Sequence, residues 1–282
     1  MSLAIRRLTA ADLDAGMRLK EAAGWNQVRG DWEALLQVEP EGCFAGEVDG
    51  RVVATATAVK WDSSLGWIGM VLVDPAHRRQ GHATRMMEHC IAYLEPRCSC
   101  IKLDATDDGA KVYSRMGFQH EYTVERWRRP DGRSGGGPSA RVLPLEAADL
   151  PSVLEMDRQA FGADRGRLLE WYFRAFGGAV QRSGGSGTLG GFALGRPGSS
   201  AFQMGPVVAE SPEVAAELMA AVLERVEGPV IADFPDPNPA VRDLLRELGF
   251  VPSRVLCRMF LGTNRSPGDP RRIFCLAGFE WG

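Results

Sequence analysis

Anion-binding chemistry is concentrated in one short stretch, His77-Arg78-Arg79-Gln80-Gly81-His82-Ala83-Thr84. Gly81 lets a backbone come close to a ligand, Ala83 keeps a nearby position small, and Arg78, Arg79 and Arg85 add positive charge. A turn of this kind that opens into a helix aims several main-chain N–H groups at one point. The positive end of the helix dipole points the same way, an arrangement suited to a diphosphate. The plain alternative is a surface turn that happens to carry arginines. Cys98-Ser99-Cys100, with His89 or His120, has the donor types for a metal. It lacks a second spaced pair, so the six cysteines read as buried or idle thiols and no metal is expected. Gly185-Ser-Gly187-Thr-Leu-Gly190 fits the dinucleotide pattern G-x-G-x-x-G. That pattern works only between a strand and a helix, whereas here a turn precedes and strand-like residues come after, so it reads as a hairpin connection.

The basic turn needs a strand to deliver it and a helix to receive it. Trp67 to Val73 reads as a buried strand that exits at Asp74-Pro75. Beyond the turn, Ala83, Met86, Met87, Cys90, Ile91 and Leu94 form one apolar stripe at helical period. Upstream, Ala4 to Leu8 is strand-like, and Thr9 is placed to cap a helix that breaks at Gly24-Trp25-Asn26-Gln27. Trp32, Leu35 and Leu36 suggest a second short helix, and Asp49-Gly50 between two β-rich runs predicts a hairpin. Downstream, Cys100 to Ala105 is a buried strand, Thr106 to Gly109 a turn, and Ala110 to Met116 a short helix. Gly117 stands where that helix needs a left-handed cap, and Glu121 to Arg129 reads as the closing strand of this domain.

Strand, R-x-x-G-x-A turn (Arg78, Gly81, Ala83) and helix, then a strand and a helix carrying Tyr113 before Gly117-Phe118, resemble the GCN5-related N-acetyltransferase (GNAT) superfamily. The resemblance implies acetyl-CoA as co-substrate and direct attack by an amine in a ternary complex. It implies that Val71, Leu72 and Val73 lend backbone groups to the pantetheine arm. Arg78, Arg79, Gln80, Gly81, His82, Ala83 and Thr84 would then hold the pyrophosphate, and Tyr113 would protonate the departing thiolate. A phenol near pKa 10 suits a thiolate leaving group. Asp104 is the first choice for the base, although it could instead fix the following turn by an Asx bond; His77, His82 and His120 are weaker choices. Trp25 and Asn26 are candidate acceptor contacts, with a core role the alternative for Trp25. The expected acceptor is the primary amine of a small molecule. Transfer to a protein lysine or N-terminus, or a non-catalytic acyl-CoA sensor, are the rival readings.

Past Arg129 to Pro138, a polar glycine-rich stretch, the chain repeats itself. Val142 to Leu150 echoes Ile5 to Leu13, and Leu244 to Phe250 echoes Val112 to Phe118, which implies a tandem duplication. The second copy has Glu210-Ser-Pro-Glu213 in place of the basic turn and Leu245 in place of Tyr113, so it should hold no coenzyme A. The expected fold class is α+β (α/β), with two tandem GNAT-like domains, each a mixed, mostly antiparallel sheet flanked by helices. Residues 1–130 would form the catalytic domain, 131–138 a linker, and 139–282 a degenerate domain with a C-terminal tail. That second domain would cover the acceptor pocket or mediate a homodimer. A net charge of −3 argues against nucleic acid and anionic membranes as partners. No membrane span or signal peptide is evident, so a cytoplasmic location is expected.

Overall fold

The computed structural model describes residues 3–130, 141–182, 188–265 and 267–282. In chain order, the first elements are β1 (Ala4–Arg7), α1 (Leu13–Ala22), α2 (Arg29–Val38), β2 (Cys43–Val48), β3 (Arg51–Lys60) and β4 (Leu65–Val73). They continue with α3 (His82–Leu94), β5 (Cys100–Ala105), α4 (Asp107–Arg115) and β6 (Gln119–Arg129). Then come β7 (Val142–Pro144), α5 (Leu150–Phe161), α6 (Gly166–Phe176), β8 (Ala179–Arg182), β9 (Leu189–Arg196) and β10 (Phe202–Ala209). The last are α7 (Pro212–Leu223), β11 (Val230–Pro235), α8 (Ala240–Glu247), β12 (Val251–Gly262) and β13 (Ile273–Cys275).

The chain divides into two compact units, and the division is not the one expected from composition. One unit comprises Met1–His120 with Met259–Arg265; the other comprises Glu121–Arg258 with Ser266–Gly282. Glu121 to Arg129, expected to close the first domain, instead runs antiparallel to β11, from Val230↔Arg129 to Pro235↔Val124. Its reason is chemical as well as geometric. Asp233 of β11 is fully buried and takes two hydrogen bonds from Arg126 of β6, each 2.7 Å, and a buried carboxylate without such a partner is costly. In exchange, the end of β12 serves the first unit, where it neighbours β5. Thr263 N–H donates to Ser99 O at 2.8 Å there, and Leu261 reaches Gly117. The proposed linker, 131–138, and the first part of the Gly185–Gly190 motif lie outside the described residues.

Within the first unit the strand order is β1-β2-β3-β4-β5, antiparallel up to β4 and parallel from β4 to β5. The β2–β3 hairpin turns on Asp49 (φ 50°) and Gly50 (φ 76°), the left-handed pair that Asp-Gly supplies at little cost. Of the stripe read from the sequence, α3 buries Met86, Met87, Cys90 and Leu94, while Ala83 and Ile91 are half-buried. α4 begins three residues earlier than expected because Thr106 caps it, accepting from Gly109 N–H at 3.3 Å, and Asp107 and Asp108 complement its dipole.

The second unit repeats the plan. Its central strands run β6-β11-β10-β9-β8-β7, with β10 parallel to β11 and antiparallel to β9. The duplication extends to local hydrogen bonds: Asp12 accepts from Thr9 N–H at 2.8 Å, and Asp149, at the equivalent place, accepts from Glu146 N–H at 2.9 Å. Each carboxylate also takes an arginine, Arg6 and Arg182 respectively. The core gathers Met204, Val207, Leu218, Val230, Phe234 and Phe250 around the T-shaped contact of Trp127 with Phe234.

Candidate active site

β4 is interrupted midway. Its register with β3 shifts between Thr55 and Thr57, and Met70 takes φ 50°, unusual for a side chain of its size. Thr55 Oγ1 donates to Met70 O at 3.0 Å and holds the bulge. On the other side, β4 pairs with β5 only from Leu65↔Cys100 to Trp67↔Lys102. Past that point β4 continues to Val73 and β5 to Ala105 without pairing to each other, so Val71, Leu72 and Val73 present a main-chain edge on that side with no partner strand among the described residues. Main-chain donors and acceptors on such an edge can accept an extended ligand as an additional strand.

At the end of β4, Asp74 turns the chain. Its carboxylate accepts from Ala76 N–H at 3.1 Å and from Arg18 Nη1 at 2.6 Å, with Arg51 3.5 Å away. Burial opposes ionisation of Asp74, but the Ala76 N–H and the Arg18 guanidinium outweigh it and hold the carboxyl below its ordinary range. A single 3-10 turn over Pro75–His77 comes next. Arg79 (φ 61°) and Gly81 (φ 79°) then both adopt left-handed backbone and swing the chain into α3. The first intrahelical donor is Arg85 N–H to Gly81 O at 3.1 Å, so the N–H groups of His82, Ala83 and Thr84 point out of the helix end. Arg78, Arg79, Gln80 and Gly81 line the turn and all four are exposed, and nothing lies within 4 Å of where a Gly81 Cβ would sit. These features fit a diphosphate: outward N–H groups, a helix N-terminus and two guanidinium groups beside it.

His82 stands apart from its neighbours. It is only 4% exposed, and neither ring nitrogen has a hydrogen-bond partner among the described residues. Burial first, then the nearby His77 and Arg85, pulls its pKa below the ordinary histidine value. Neutral imidazole is therefore its resting state at pH 7.

Tyr113 sits in the last turn of α4, its ring 6.2 Å from that of Phe118. Gly117 (φ 94°) ends the helix as expected and lets Phe118 N–H return to Tyr113 O at 3.1 Å. Burial, followed by the neighbouring Cys90 thiol, pushes the phenol up to about 12, so it is a proton donor across the neutral range. Asp104 is half-buried near the end of β5, and Thr106 supplies the cap of the next helix. In the same unit, Trp25 is half-buried and donates its main-chain N–H to Lys20 O at 3.0 Å, while Asn26 is 4% exposed. Among the described residues, no cluster of His, Cys, Asp and Glu could hold a metal, and no helix is long and apolar enough to cross a membrane.

Sequence reasoning missed the Met70 bulge and the Arg18–Asp74 anchor. The bulge has no compositional signal, and the ion pair joins positions that only the fold brings together.

The second unit lacks the basic turn. After β10, Ser211 caps α7 by accepting from Val214 N–H, Pro212 supplies no donor, and Glu213 adds negative charge.

Both halves of the chain resemble known proteins. The model of the GNAT acetyltransferase family matches residues 11–118, and that of a GNAT acetyltransferase domain matches 153–275. The chain is 28% identical over 240 residues to the uncharacterized N-acetyltransferase YitH of Bacillus subtilis, covering 83% of each chain. It is 26% identical over 265 residues to the holothin acyltransferase of a Pseudoalteromonas species, covering 93% of this chain and 88% of that one. Among solved structures, an acetyltransferase candidate from Pyrococcus horikoshii has a TM-score of 0.82 at 24% identity, with 99% of this chain and 96% of that one covered. A tandem GNAT protein of the clavulanic acid pathway has a TM-score of 0.67 at 15% identity, with coverages of 93% and 98%. The chain belongs to the GNAT acetyltransferases, as an acyltransferase that carries the fold twice.

Proposed function

We propose that the first unit transfers an acetyl group from acetyl-CoA to the primary amine of a small molecule by direct attack in a ternary complex. The observation that carries the reading is the pairing of an open β4 edge with a donor-rich helix N-terminus immediately after it. The residues from Arg78 to Thr84 would hold the pyrophosphate, chiefly through main-chain N–H groups, with Arg78 and Arg79 as counter-charges. Val71, Leu72 and Val73 would line the extended arm along β4, and an N–H of that edge would polarise the thioester carbonyl. Oriented donors of this kind usually contribute more than any single side chain. Acetyl-CoA supplies the activated acyl group. Tyr113 protonates the leaving sulfur, a role suited to a phenol held neutral by burial. Asp104 takes the amine proton, directly or through water, and Trp25 and Asn26 contact the acceptor. Support for acyl transfer also comes from the relative named holothin acyltransferase, which aligns with nearly all of this chain.

The test is coenzyme-A release with acetyl-CoA and a panel of small amines, set against a lysine peptide, for wild type and for Tyr113→Phe and Asp104→Asn. Turnover with small amines that both variants reduce supports the reading. Binding of acetyl-CoA with no turnover on any acceptor would instead describe a sensor.

A further inference from the structure

The second unit opens its sheet at the same place as the first. An offset of 137 residues relates Asp12 to Asp149, and the same offset relates Leu65 at the start of β4 to Phe202 at the start of β10. β10 pairs with β11 in parallel only from Phe202↔Val230 to Met204↔Ala232, three pairs, as β4 does with β5. Its register with β9 then shifts between Met204 and Val207, two residues earlier by this offset than the irregularity between Gly69 and Leu72 in β4. Beyond the shift the two units part ways. In the first unit no described segment pairs with the β5 side of β4 beyond Trp67. In the second, β13 runs antiparallel to β10, with Val207↔Cys275 and Val208↔Ile273. Leu276 N–H then reaches across to Asp233 O of β11 at 2.7 Å.

We infer that Ile273–Leu276 is the resident ligand of the second unit, an internal strand seated in the slot that its first-unit counterpart offers to an extended acyl carrier. The identification of that counterpart rests on the function proposed above; the seating of the tail does not.

The slot is shaped for this occupant. At Gly205 a Cβ would lie 1.9 Å from Leu276 O, so only glycine admits the tail's carbonyl. Tyr172 donates its hydroxyl to Ala277 O at 2.9 Å, and Asn238 Nδ2 donates to Arg271 O and Ile273 O at 2.8 and 3.1 Å. Arg196 and Glu280 form an ion pair at 2.8 Å with both side chains at most 2% exposed. Arg165, also paired to Asp157, donates to Gly282 O at 2.6 Å, and the Phe279 ring centre lies 4.4 Å from the Arg126 guanidinium. A removable strap would hold by exposed, replaceable contacts. Here release would strand a buried guanidinium without its carboxylate, which marks the tail as a fixed part of the unit. With Ser211 and Pro212 closing the helix end after β10, this unit has neither the edge nor the cradle for a second cofactor.

Cys275, fully buried in β13, reports the seating directly. The full chain is treated with iodoacetamide under native conditions and its labelling mapped by mass spectrometry, while bound acetyl-CoA is counted by native mass spectrometry. In wild type, Cys275 should stay unlabelled while half-buried Cys98 reacts, with one acetyl-CoA per chain. Gly205→Ala should raise Cys275 labelling at least about tenfold, leave first-unit Cys90 protected, and leave the cofactor count at one. Glu280→Gln, a gentler change, should raise it about threefold and serves if Gly205→Ala does not fold. Cys275 labelling as fast as Cys98 in wild type, or a second acetyl-CoA per chain, would overturn the inference. So would a folded Gly205→Ala chain with Cys275 still protected. No acetyl-CoA at all, with Cys275 protected in wild type and exposed by the variants, would sink the reading of the first unit and support this one.

Discussion

Tyr113 and His82 are both ionisable groups held neutral by burial, but the consequences differ in sign. For Tyr113 the proton is retained up to about pH 12. kcat should therefore not fall between pH 8 and 10 through ionisation of this group. Tyr113→Phe should lower kcat roughly 10²-fold, within the usual range for a lost general acid, and leave the KM for acetyl-CoA within about twofold. For His82 the folded-state pKa lies below the ordinary value of 6.5, so the unfolded chain takes up the proton first as the medium acidifies. Its contribution to stability is complete above pH 6.5 and is lost as pH falls through the lower folded value. Melting temperature should drop between pH 7 and 5, and His82→Leu should flatten that slope, as followed by calorimetry. If the slope is unchanged in the variant, another group controls it. Neither residue's burial could be read from its neighbours in sequence. His77 and His82 look alike there, and only the packing of the first turn of α3 separates them.

Among the elements, the turn between β4 and α3 carries the sharpest expectation. Gly81 holds φ 79° with open space around its missing Cβ, so Gly81→Ala is penalised by backbone strain alone. The cost should be about 1–2 kcal/mol, with a modest weakening of acetyl-CoA binding. Gly81→Glu adds a carboxylate at the anion site and should abolish binding measured by titration calorimetry while leaving the melting temperature close to that of Gly81→Ala. Uptake unchanged in Gly81→Glu would remove the cradle from the site. This element was legible because its information is local: a left-handed glycine, a small residue after it, and an apolar stripe of helical period. The same holds for the Asp49-Gly50 hairpin and for Gly117. The bulge at Met70 was not legible, since it is imposed by Thr55 on the neighbouring strand. The β13 segment was read only as part of a tail. Its one signal was the apolar run Ile273-Phe-Cys-Leu-Ala277 within polar, glycine-bearing surroundings, and what it binds lies far away in the chain.

For the whole molecule, duplication was visible as an echo at nearly constant offset, but the exchange of strands was not, because pairing partners leave no periodic mark. Each unit borrows from the other side of 131–138: β6 goes forward to the second, and Met259–Arg265 comes back to the first. Residues 1–130 expressed alone would therefore present β5 as an uncovered edge and should aggregate. Residues 139–282 alone would leave Asp233, fully buried, without Arg126. A chain cleaved at a protease site inserted within 131–138 should nevertheless elute as one species, since each unit still holds residues from both fragments. Separation of the two pieces on size exclusion would contradict the division. The exchange also bears on how the protein emerges from the ribosome. A polypeptide is made from its N-terminus at about 5–20 residues per second. The first unit, though nearly all of it is synthesised early, lacks its last strand until Met259–Arg265 has been translated. It must wait on the order of 10 s, through translation of almost the entire second unit, before its sheet can be finished. The portion proposed to carry the chemistry is thus begun before the second unit and finished only near that unit's end, so its activity should appear only after Arg265 has been translated.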